Sequence, residues 1–290
     1  MSAAATVARL AVLLEAGLAP LPAWAHLGAV DPVAARIAET DGAERLPEAI
    51  LAATAAGDDA TAWACVAAAW QVAAESGAPL AAALARFADV LLAADDARRE
   101  VEIALAGPLA TRRIVLALPL VALLGGMLMG VDTLGVLVTT PPGWLCLVTG
   151  VVLLVVGRRW MARLVARARV VDPAPGLGAE LVAIAVSGGG AAEAALTRVA
   201  AALEACGLPA DAASAPAVAF SRSAGVPVAA LLRAEAREQR RDAQAAVRTR
   251  IAALGTRLLL PLGVCVLPAF VALGVVPLLL AMIRSTFAGL

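Results

Sequence analysis

Three stretches of the chain run without a charged residue for long enough to cross a bilayer, and the rest of the pattern is arranged around them. Ile114 to Val131 reads IVLALPLVALLGGMLMGV, about 27 Å of helix at ~1.5 Å per residue. Gly143 to Gly157 reads GWLCLVTGVVLLVVG, with Trp144 and Trp160 at its two ends; indole rings, apolar in body and polar at N–H, suit the boundary between hydrocarbon and water. Leu258 to Ile283 is the third. A helix that is apolar around its whole circumference has no solvent face, so the pattern predicts three transmembrane helices.

The remaining positions follow a helical period. Val7, Leu10, Leu14, Leu18 and Leu21 recur at i, i+3 and i+4. Arg9, the run Leu10 to Leu14 and Ala23-Trp24-Ala25 imitate a cleavable signal peptide, but Glu15 ends the apolar run after five residues, too few for such a segment. Leu84, Phe87, Ala88, Leu91 and Leu92 form a second stripe from which Arg86 and Asp89 face away. Glycine and proline mark helix ends at Gly17, Pro20, Pro22, Gly57 and Gly77-Ala78-Pro79, then at Gly207, Pro209, Pro216, Gly225 and Pro227. No stretch alternates apolar and polar in the manner of a strand. The expected fold is all-α: an integral membrane protein with three transmembrane helices and two cytoplasmic antiparallel helical-bundle domains. Its divisions are a first helical domain over 1–113, a transmembrane hairpin over 114–157, a second helical domain over 158–257, and a last span with a short external tail over 258–290.

Arginine sets the orientation. Fifteen arginines flank the spans on one side: Arg98, Arg99, Arg112 and Arg113; then Arg158, Arg159, Arg163, Arg167 and Arg169; then Arg237, Arg240, Arg241, Arg248, Arg250 and Arg257. The loop 132–142 has none, and only Arg284 follows the last span. By the positive-inside rule both polar regions are cytoplasmic and the C-terminus is external. Asp132 and Pro141-Pro142 suit the external turn.

Composition agrees with a membrane location, with 62% hydrophobic and 16% charged residues and a mean hydropathy of +0.88, against ~25% charged in soluble domains. The 23 basic and 23 acidic residues balance, which gives no footprint for nucleic acid. Every basic residue other than one histidine is arginine, and Lys, Asn and Tyr are absent, a bias that points to a GC-rich bacterial genome. Cys65, Cys146, Cys206 and Cys265 are far apart and read as packing residues.

Chemistry is sparse. His26 is the only histidine, which leaves no Ser-His-Asp or Cys-His arrangement and no multi-histidine metal set. Gly188-Gly189-Gly190 is followed by no Gly-Lys-Ser/Thr, so it is a helix-start turn and not a Walker loop. Asp95-Asp96 with Glu100 and Glu102 reads as a solvated face or as a site for a hard cation. The charged stretch Arg233 to Arg250 reads as a solvated helix face, a partner surface or a contact with anionic headgroups. No cofactor is expected, and the protein is not expected to be an enzyme. Inside the spans nothing ionises, which argues against a pump. Gly126-x-x-x-Gly130 permits close helix approach, while Pro119, Pro261, Pro268 and Pro277 free carbonyls that must be satisfied within protein.

The halves resemble each other. Ala8 to Gly17 corresponds in kind to Ala179 to Gly188, and Glu75-Ser76-Gly77-Ala78-Pro79-Leu80 to Ser223-Ala224-Gly225-Val226-Pro227-Val228. Each half then runs through a charged helix to Thr111-Arg112 or Thr256-Arg257 and a proline-containing span. Four features in one order suggest a pseudo-repeat.

This order of Leu-Leu-Glu-Ala-Gly-Leu, then Glu-Ser-Gly-x-Pro-Leu, a membrane hairpin, a repeat and a last span resembles the F-type platform proteins of type II secretion and type IV pilus systems. Ala-Gly-Pro-x-Ala-Thr-Arg at 106–112 and the Leu-Pro strings of the spans look most like the actinobacterial Tad (Flp) pilus branch. The resemblance covers about residues 7 to 283, with Glu15, Gly17, Glu75, Gly77, Pro79, Gly225 and Pro227 as motif residues. In the second half Ser223 stands for Glu75, and Ser187-Gly188-Gly189-Gly190 for Glu-Ala-Gly-Leu. The resemblance implies a non-enzymatic platform in the bacterial inner membrane that couples a hexameric secretion ATPase to pilin extraction. Its partners would be that ATPase, pilin subunits, the lipid bilayer, and a second platform subunit or further copies of itself. A transporter or permease subunit is the alternative. An intramembrane enzyme comes third, for want of paired acids or a nucleophile–base pair in the spans.

Overall fold

A computed structural model describes residues 2–55, 57, 59–128, 133–168 and 174–288. Among these every regular element is a helix. The chain forms two compact units: residues 1–97 with 171–245, and residues 98–170 with 246–290.

The first unit opens with α1 (Ala3–Glu15), α2 (Pro20–Gly28), α3 (Pro32–Ala38), α4 (Leu46–Thr54) and α5 (Ala60–Ser76). The predicted N-terminal stripe places Val7 and Leu10 in the core. Trp24, from the string that imitates a signal cleavage site, is wholly buried, with its ring centroid 6.3 Å from that of Trp63 and 6.2 Å from that of Trp70. Such tilted indole pairs add to the stabilisation from buried area alone. Asp31 caps α3, accepting from the Val33 N–H at 2.9 Å, and also accepts from the Thr6 hydroxyl at 2.6 Å. α5 is buried almost throughout, from Ala62 to Ala73, because its many alanines let neighbours approach on every side.

α6 (Leu80–Leu128) leaves this unit and continues as one helix. Its predicted stripe buries Leu84, Phe87, Ala88 and Leu91, while Leu92 is 41% exposed and lies outside it. α7 (Thr133–Thr139) and α8 (Pro141–Ala168) follow in the second unit. The chain returns to the first unit with α9 (Leu177–Ser187), α10 (Ala192–Ala205), α11 (Ser214–Ala224) and the start of α12 (Val228–Pro261). α5 packs on α9 and α10, so the helices before and after residues 98–170 share one hydrophobic core.

α12 passes into the second unit and runs on through α13 (Leu267–Phe270) and α14 (Val276–Ala288) by way of two π-helical turns, Leu262–Val266 and Val271–Val275. Each π turn stands one turn ahead of a proline. Pro268 and Pro277 lack the N–H that would bond to the carbonyls of Val264 and Leu273, and the wider turn is the local response: the Leu267 N–H donates to the Leu262 carbonyl and the Val276 N–H to that of Val271. The predicted proline effect is thus a loosened turn rather than a break.

Two helical stretches, Pro141–Arg167 and Val228–Leu280, are long and apolar enough to cross a membrane. In the second unit Leu145, Val148, Val151, Val152, Val155, Val156, Leu259, Leu260, Val264 and Leu267 are all exposed. So many exposed large apolar side chains in one unit suit an apolar surrounding better than water.

Candidate functional site

Four helices of the first unit end in the same way. At Gly17, Gly77, Gly207 and Gly225 the backbone turns left-handed, with φ of +89°, +68°, +65° and +66°. The amide of the next residue then donates back to a carbonyl five residues earlier: Leu18 to Leu13, Ala78 to Ala73, Leu208 to Leu203 and Val226 to Ser221. This is the Schellman arrangement, for which glycine is favoured because a Cβ is strained at positive φ.

Gly77 and Gly225 have a further likeness. Each is followed two residues on by a proline, Pro79 or Pro227, standing just before a long helix, α6 or α12. Gly17 has its counterpart at Gly189, φ +91°, whose N–H donates to the Val186 carbonyl as that of Gly17 donates to Leu14. The helix ends therefore place Glu15 opposite Ser187, one residue along from the pairing of Gly17 with Gly188.

Of the acidic motif residues, Glu15 ends α1 and is exposed. Glu75 is also exposed, accepts from Gln71 Nε2 at 2.8 Å and has Arg198 Nε at 3.9 Å. Gly130 and the surroundings of Gly126 and Pro119 lie outside the described residues. Pro268 lies in the first turn of α13 and is exposed.

The tight contact in the second unit involves glycines that sequence reading passed over. A Cβ at Gly150 would fall 2.7 Å from Leu273 Cδ2, and one at Gly157 would fall 3.0 Å from Cys265 Cβ. Gly150 and Gly157 are seven residues apart and so share one face of α8. Their spacing was the available signal, lost in a run of valine and leucine. Trp144 is exposed and donates from Nε1 to the Val138 carbonyl at 3.1 Å.

Charge gathers in three places. In the first unit α9 is buried from Ala179 to Ala185, and Glu180 is buried with it. A carboxylate so placed requires a partner. Arg240 Nη2 supplies it at 3.4 Å, and seven residues earlier Arg233 Nη2 donates to Ser187 Oγ at 2.9 Å. Glu180 with Arg240 and Ser187 with Arg233 match a seven-residue step on α9 to a seven-residue step on α12, running in opposite directions. These arginines and Arg86, Asp89 and Arg237 line a pocket of about 230 Å³.

In the second unit Arg167 of α8 and Arg250 and Arg257 of α12 line another pocket, of about 240 Å³, with Leu164 and Leu254. Glu100, from the acidic group at the start of the charged part of α6, receives Arg248 Nε at 3.0 Å and Nη2 at 3.4 Å. Among the described residues no group of three or more His, Cys, Asp or Glu is placed to hold a metal ion. Comparison with protein-family models, with curated proteins and with solved structures finds no match.

Proposed function

We propose that the protein is an inner-membrane platform of the F type, from a type II secretion or Tad pilus assembly machine, holding a helical unit at the cytoplasmic face for a motor ATPase. The observation that carries this reading is the repeated turn. Gly77-x-Pro79 and Gly225-x-Pro227 share backbone geometry and bonding, and each opens a long helix that runs toward an apolar segment. These likenesses support the pseudo-repeat expected of the family, with three helices, α2 to α4, in the first copy where the second has α10 alone.

The two-part first unit supports the topology. Segments 1–97 and 171–245 share a core, which favours both lying on one side of a membrane with an even number of crossings between them. α8 provides one crossing, and the apolar end of α6 from Ile114 the other. The last span then makes three. Arg167, Arg250 and Arg257 gather at one pocket, and such a cluster suits the anionic headgroups of a cytoplasmic leaflet.

The test is to isolate the tagged full chain from its native membrane in mild detergent and to count surface pili in the same strain. A hexameric ATPase should co-purify, and joint charge reversal of Arg86, Asp89 and Asp96 should abolish both retention of the ATPase and assembly while leaving the protein inserted. Pili that persist after deletion of the gene, or ATP hydrolysis or solute transport by the purified chain alone, would end the platform reading.

A further inference from the structure

The arginine pocket of the first unit is more than a solvated charge run. Its charged lining is four guanidiniums, Arg86, Arg233, Arg237 and Arg240, against two carboxylates, Asp89 and Glu180. One carboxylate is already committed, since Glu180 is held by Arg240. Three of the arginines also carry a nitrogen that is shielded from solvent and has no acceptor: Arg86 Nε, Arg233 Nε and Arg240 Nη1. Buried polar groups are ordinarily satisfied, and three unsatisfied donors of one kind around one cavity form a pattern rather than scattered defects.

The placement is fixed and not a matter of floppy surface chains. Arg240 is anchored by Glu180 and Arg233 by Ser187 Oγ, which itself donates to the Ala183 carbonyl at 2.6 Å. On α12 the residues Arg233, Arg237 and Arg240 fall at i, i+4 and i+7, one face of a helix, and Arg86 approaches from α6.

We propose that this pocket binds a phosphate-type oxyanion. Guanidinium forks match the tetrahedral oxygens of a phosphoryl group two at a time, and the surplus of positive charge suits a dianion. The cavity is smaller than the ~300–1,000 Å³ of drug-sized sites, so it takes the phosphoryl group and not a whole cofactor. That group belongs either to a small soluble phosphate or to a lipid headgroup.

The experiment follows the thermal midpoint of the full chain in neutral-detergent micelles at constant ionic strength. Inorganic phosphate, pyrophosphate, acetate and dilute phosphatidylglycerol are titrated separately. A ligand of the folded chain raises the midpoint saturably. Saturable protection by phosphate or pyrophosphate supports the site with a soluble ligand; protection by phosphatidylglycerol alone supports it with a lipid one. Arg86→Gln and, separately, the exposed Arg237→Gln should each weaken the effective ligand about tenfold, the order of one charge-assisted hydrogen bond. Arg237→Gln keeps the test valid should Arg86→Gln fail to fold. No protection by any phosphate, equal protection by acetate, or protection unchanged in a folded variant overturns the proposal.

Discussion

Gly188 lies against the backbone of Ser76: a methyl group added at Gly188 would stand 2.8 Å from the Ser76 carbonyl carbon and 3.1 Å from the Ala78 amide nitrogen. The end of α9 is thus seated on the turn that closes α5, joining residues more than a hundred positions apart.

That contact separates two glycine effects. Gly188 has an ordinary helical φ of −76°, so Gly188→Ala should destabilise only through the collision with backbone, by about 1–3 kcal/mol. Gly189 has open space around it but φ +91°, so Gly189→Ala should cost about 1–2 kcal/mol through backbone strain. Denaturant unfolding in detergent reads both. Shortening the Ser76 side chain should not rescue Gly188→Ala, because the obstacle is main chain.

The shared core was not visible in the sequence, although several of its helix ends were. Gly77-Ala78-Pro79 and Gly225-Val226-Pro227 announce their turns through local chemistry that any stretch of chain carries with it. That α9 packs on α5 depends on shape matching between alanine-rich surfaces, which leaves no periodic mark. Glu180 did carry a signal. A lone acid in Ala179-Glu180-Leu181-Val182-Ala183-Ile184-Ala185 must either face water or find a cation, and Arg240 and Arg233 repeat its seven-residue step to Ser187. By itself, the arginine run reads as a solvated face, a partner surface or a headgroup contact. The glycines of α8 were missed for a related reason: Gly126 and Gly130 match a familiar spacing, whereas Gly150 and Gly157 matter because Leu273 and Cys265 lie opposite them.

Asp31 joins α1 to α3. Asp31→Ala removes a helix cap and a buried hydrogen bond to Thr6, and should cost about 2–3 kcal/mol on thermal unfolding. Asp31→Asn keeps an oxygen for the cap and should recover much of the loss. Equal losses in the two variants would show that the cap contributes little.

Gly150→Ala should loosen α8 from the last helix by about 1–3 kcal/mol, since its Cβ meets the Leu273 side chain. Here the obstacle is a side chain, so Leu273→Ala in the same protein should restore part of the loss. A double variant no better than the sum of the single ones would place the strain elsewhere.

Burial pushes the Cys206 thiol above its ordinary 9.0. The folded state favours the neutral thiol, so its contribution to stability is complete below the unfolded value and is lost as pH rises through the folded one. Stability should therefore decline above about pH 9, and Cys206→Ala should flatten that decline. Alkylation at pH 8 should be slower at Cys206 than at the same residue in the unfolded chain. An unchanged alkaline slope in Cys206→Ala would contradict this.

The account stands or falls on both segments of the first unit lying together on the cytoplasmic side of a membrane hairpin. Topology reporters fused near residues 60 and 215, at 136, and after Leu290 measure that directly. The proposed topology gives cytoplasmic signals at 60 and 215, and external signals at 136 and after Leu290. A cytoplasmic signal at 136, or opposite signals at 60 and 215, would contradict it.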